Sequence, residues 1–241
     1  MLRTAIPQQS DGATVSRPGE EPALDAPRSC PHARASNRRV VSAVAECCPV
    51  DDAGAKANLY GYLKRERKAV LAKLDGLSEY DMRRPLTVTG TNLLGLVKHL
   101  ATWEARYLGE VFGRPFPEPL PRWDVEVELL ADMWATEYES RSDIVGRYRR
   151  VWEHSDATVA ALALDATGRV AWWQDAEVPL FNILVHLVAE TSRHAGHADI
   201  LREELDGAVG TDAEAMTEED HDSEFWRQRR EEIEAAAKSA G

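Results

Sequence analysis

Apolar residues recur at helical spacing in four stretches, separated by segments rich in proline, glycine and charge. The first, Leu59, Tyr62, Leu63, Val70, Leu71 and Leu74, predicts a helix over about 56–76. Ser78 to Pro85 reads as a short helical turn or loop that stops before the proline. Thr91 is the expected N-cap of a second helix, about 92–112, carrying Leu93, Leu94, Leu96, Val97, Leu100 and Trp103 and ending at Gly113. A proline-rich connection follows, then a short helix around 127–136. Ser140 or Ser142 caps a third long helix, about 141–163, with Ile144, Tyr148, Val151, Trp152, Val159 and Leu162. Gly168 and Trp172-Trp173 lie in the loop before Pro179, a first-turn proline for a fourth long helix over about 179–205. No segment alternates as a strand would.

Four long amphipathic helices predict an all-α four-helix bundle over residues 55–208. Residues 1–54 hold Pro, Ser, Ala, Arg and Gly without a sustained period. They cannot bury enough apolar surface to offset ordering entropy, and a disordered N-terminal extension is expected. Residues 209–241 read as an acidic linker followed by a short C-terminal helix, about 224–238.

Composition narrows the function classes. With 44% hydrophobic residues the chain can build a core, and its net charge of -12 argues against binding nucleic acid or anionic lipid. No apolar run approaches the roughly 18 residues of a membrane span. The three cysteines, Cys30, Cys47 and Cys48, fall in the extension and make no disulfide framework, so the cytoplasm is the expected compartment.

The fourth helix carries the chemistry. His186, Glu190, His194 and His197 fall within roughly 80° of arc, beside the apolar face of Leu180, Ile183, Leu187 and Leu201. Imidazoles and a carboxylate turned toward a core need a partner, and a metal ion is one that suits all of them. Glu190 and His194 have the four-residue spacing that grips a single ion, and so do His186 and Glu190. A third ligand must come from another helix, where His99 sits among the apolar positions of the second. The competing reading is a set of core histidines satisfied by hydrogen bonds.

Leu93-Leu-Gly-Leu-Val-Lys-His99-Leu-Ala, with Ile183 to Glu203 around His186, Glu190, His194 and His197, resembles the DinB/YfiT superfamily. More narrowly it is similar to the mini-circle protein (DUF664) branch, over about residues 56–238. The resemblance implies a bundle with a divalent metal held by a histidine of the second helix and two residues four apart on the last core helix. Those positions are His99, Glu190 and His194. Most members have histidine at both of the latter. The His/Glu/His set is similar to that of the mycothiol-dependent maleylpyruvate isomerases. Zinc is the first choice of metal, with nickel, iron or manganese as alternatives.

His197, Arg193 and His186 are then supporting residues that contact ligands or substrate, and Trp103, one turn after His99, is the pocket candidate. The implied activity is thiol S-transfer, with mycothiol or a similar small thiol and an electrophile as partners. The alternative is a metal-binding stress or regulatory protein without turnover. The resemblance also admits a homodimer.

Overall fold

The computed structural model describes residues 52–121, 130–174, 176–210 and 223–240. The readings for the N-terminal extension, its cysteines and most of the acidic linker fall outside these residues.

The structure is mostly helical. α1 runs Asp52–Ala72, starting and ending about one turn earlier than predicted. α2 is the short helix Glu79–Arg83, capped by the Ser78 side chain. α3, Leu93–Tyr107, is capped by Asn92 rather than Thr91: the Asn92 side chain accepts a bond from the Gly95 amide, while Thr91 donates its own amide to Thr87. The predicted end of this helix breaks off into a separate 3-10 turn, Glu110–Phe112.

α4, Arg141–Ala161, opens on a capping box in which Ser140 and Asp143 bond reciprocally. α5, Leu180–Asp206, follows Pro179, which is the N-cap itself and not a first-turn residue. α6, Ser223–Ala240, buries none of its residues. The helix expected around 127–136 is not found where it can be seen, since residues 130–134 form turns and bends.

One small two-stranded hairpin is added to the expected helical bundle. β1, Thr167–Arg169, pairs antiparallel with β2, Glu177–Pro179, Gly168 lying opposite Val178. At three residues each they are too short to show alternation. Gly168 is required by contact: a Cβ there would lie 2.6 Å from Val111 and 2.8 Å from Phe112. Its bareness lets the hairpin sit on the 3-10 turn and carry Trp172 and Trp173 on its connection.

α1, α3, α4 and α5 form the bundle. α1 packs on α5, and α3 packs on both α4 and α5. Most predicted core positions are buried, among them Leu63, Val70, Leu94, Leu100, Ile144, Val151, Ile183 and Leu187; Leu59, Leu71, Trp103, Trp152 and Leu162 are half-buried, and Tyr62 faces solvent. At about 1.5–3 kcal/mol for each large apolar side chain, this burial is the main stabilising term.

The apolar interior forms two clusters. One joins most of α3 to Ala195, Ala198 and Leu201 of α5; the other joins Tyr107 and Leu108 to Leu180, Ile183, Leu184 and Leu187. One buried ion pair crosses the bundle. The Arg67 guanidinium donates to both oxygens of Glu104 at 3.0 and 2.8 Å, with both side chains only 2% exposed. Arg67 also donates to the half-exposed Asp156 at 3.0 Å. Among the described residues no helix is long and apolar enough to cross a membrane.

Candidate metal centre

α3 and α5 meet where His99 faces Glu190 and His194. Helical spacing stacks the latter two, and the Glu190 Oε1 atom accepts from His194 Nε2 at 3.0 Å. His99 Nε2 lies 3.5 Å from the same oxygen. One donor atom from each of the three residues falls within a 4.8 Å mutual spread, and no other such group occurs among the described residues. Two imidazole nitrogens and a carboxylate oxygen suit zinc and its borderline neighbours, and three protein donors leave a coordination position open. These residues therefore fit a divalent ion.

The remaining nitrogens are held from outside. His99 Nδ1 is 2.7 Å from Asp132 Oδ2, and a carboxylate can only accept, which puts the proton on Nδ1 and turns Nε2 toward Glu190. The Trp103 indole donates to that same oxygen at 2.9 Å. Histidine ligands are commonly oriented by a carboxylate in this way. Asp132 was not predicted. It lies in the stretch read as a short helix, where residues 130–134 form turns and bends, so a helical period does not place its side chain. His194 Nδ1 faces His197 Nδ1 at 3.4 Å.

The expected supporting residues divide. His197 and Arg193 lie on the exposed side of α5, with His197 touching His194. His186 stands apart from the donor group: its ring packs edge-on against Tyr107 at 4.7 Å and Trp173 at 5.1 Å. Trp103, 6.3 Å from the His99 ring, begins an aromatic wall that continues through Trp172, Tyr107 and Trp173. A cavity of about 250 Å³ lies elsewhere, between α1 and α4, and none of the three donor residues lines it.

A family model described as mycothiol-S-transferase matches residues 58–207, more than half of the chain. The chain belongs to the mycothiol-S-transferase family. The match takes in all three donor residues and supports the wider DinB/YfiT-like resemblance. No curated protein matches the chain.

The electrostatics of the centre set a pH dependence. Bonds from His194 and then His99 hold the Glu190 carboxyl far below its ordinary range. Burial lowers the His99 pKa, but Asp132 and Glu190 together outweigh it and raise it above 6.5. The raised pKa means that the metal-free centre favours a proton on His99, which a cation must displace. Zinc uptake is expected to release protons and to weaken about tenfold per pH unit for each proton displaced, below the raised His99 pKa. Chelator competition at about pH 6 and pH 8 measures this; an affinity unchanged between them contradicts proton displacement.

Proposed function

We propose that the protein is a divalent-metal-dependent thiol S-transferase, using mycothiol or a similar small thiol against an electrophilic small molecule. His99, Glu190 and His194 would hold the ion, zinc foremost. The reading rests above all on one observation: three donors of the right chemistry converge between α3 and α5 inside the segment that matches the mycothiol-S-transferase family.

A bound divalent ion supplies positive charge that lowers a thiol pKa from its usual value of about 8.5, so that the thiolate predominates at neutrality. The chain's own groups do the rest. Asp132 fixes the His99 ring so that its Nε2 is the free donor. Burial first, with the neighbouring Arg193 charge adding to it, lowers the His197 pKa below 6.5 and leaves its imidazole able to take the thiol proton. The wall from Trp103 to Trp173 offers an apolar surface along which the electrophile lies. The thiolate sulfur then bonds to the electrophilic carbon, and the leaving group departs with the former bonding pair.

Mycothiol and a bromobimane, incubated with zinc-loaded protein, are expected to form the S-conjugate faster than without protein. Chelation should abolish the gain and added zinc restore it. Metal-loaded protein that conjugates no thiol with any electrophile would leave the alternative of metal binding without turnover.

A further inference from the structure

The segment 130–140 has no regular structure, yet it is fastened to α3 at successive residues. The Met133 carbonyl lies over Gly95: a Cβ at that position would come within 1.9 Å of its oxygen, so only glycine admits the backbone there. The Asn92 side-chain amide donates to the same carbonyl at 3.4 Å. Lys98, 5% exposed, donates to the Trp134 carbonyl at 3.0 Å and pairs with Glu139 at 2.8 Å. Glu139 in turn accepts from the Thr136 amide. Leu130, at the head of the segment, takes a φ of 64°, a left-handed conformation that a bulky residue rarely adopts. Backbone outliers of this kind persist where surrounding contacts over-determine them.

The fastening has a single chemical product. It delivers the Asp132 carboxylate to His99 Nδ1 and to the Trp103 indole. Gly95 is one turn before His99, and Trp103 is one turn after it. Three successive turns of α3 therefore seat the segment, hold its carboxylate and present the imidazole.

We propose that Asp132 is a positioning residue for His99, and that Gly95 and Lys98 act on the metal centre at a distance by seating the segment that carries it. Asp132 fixes the ring in the Nδ1–H tautomer and stops its rotation. Gly95 decides how deeply the segment sits. Lys98 locks the segment's far end. The effect on metal affinity rests on the proposed metal function; the effect on the ring does not.

Two measurements on the full chain test this: the tautomer of His99 by nitrogen-15 NMR of metal-free protein at about pH 9, and zinc affinity by chelator competition. In the wild type Nδ1 should carry the proton. Asp132→Ala should lose that tautomer preference and weaken zinc binding by about 10–100-fold, with circular dichroism unchanged. Asp132→Asn should recover most of both, because its amide oxygen still accepts from Nδ1–H and from the indole.

Gly95→Ala, and Lys98→Met should the first fail to fold, ought to weaken zinc and blur the tautomer without touching the ring. An unchanged tautomer and affinity in Asp132→Ala, or in a folded seat variant, overturns the corresponding part of the inference. Wild-type protein that takes up no zinc overturns the metal function alone, and the tautomer measurement still decides the role of Asp132.

Discussion

Replacing Glu190 by glutamine is expected to remove bound metal and thiol transfer together, with loss of metal affinity well beyond the roughly hundredfold upper end typical of residues that merely orient a ligand. The reason lies in the geometry. A single oxygen, Oε1, faces the Nε2 atoms of both His99 and His194, so Glu190 is the shared centre of the group. An amide is a poor ligand and carries no charge to offset a divalent ion. Glu190→His, which makes three imidazoles, is expected to restore zinc, since three histidines form a complete ligand set in other zinc enzymes. Metal content after dialysis and the bimane assay measure both variants. Retained stoichiometric zinc in Glu190→Gln would remove Glu190 from the ligand set.

The largest stability effect is expected far from the metal, at Arg67. Arg67→Met leaves the Glu104 carboxylate 2% exposed with its bidentate partner gone. Breaking one side of a buried pair costs about 3–5 kcal/mol. For a domain of this size that corresponds to a fall of roughly 6–20 °C in Tm, at about 2–4 °C per kcal/mol. Glu104→Leu should cost less, because Arg67 keeps its bond to Asp156, whose side chain is 43% exposed and remains hydrated. The double replacement, Arg67→Met with Glu104→Leu, is expected to recover most of the loss, since an apolar pair of similar volume needs no desolvation. Thermal denaturation of metal-free protein measures all three. Equal falls for the two single variants would show that Asp156 does not hold Arg67.

These two regions differ in how far the sequence announces them. Glu190 and His194 are a local matter: four residues apart on a helix, they must stack wherever that helix lies. His99 stands out because Leu96 and Trp103, one helical turn to either side of it, are apolar. Asp132 has no such signature, since its position depends on a tertiary seat and not on a period. The one available signal was Gly95, a residue that costs a helix interior about 1 kcal/mol against alanine and so asks for a close approach. Arg67 and Glu104 sit on the buried stripes beside Leu63, Val70, Ala101 and Leu108, and charges there imply partners without naming them. The helices were found because long amphipathic periods dominate their segments. The hairpin was missed because three residues carry no period.

The division of the interior into two apolar clusters has a dynamic consequence. Along α5, Leu187 belongs to one cluster and Ala195 to the other, and Glu190 and His194 occupy the seam between them. Without an ion the two halves of α5 are expected to open as separate units, each with its own amide-exchange rate. An ion gripped from both α3 and α5 would tie the halves together, and their exchange rates should then converge on a single slower value. In that sense the ion would make one cooperative helix out of two, and the reactive centre would double as the clasp of the fold.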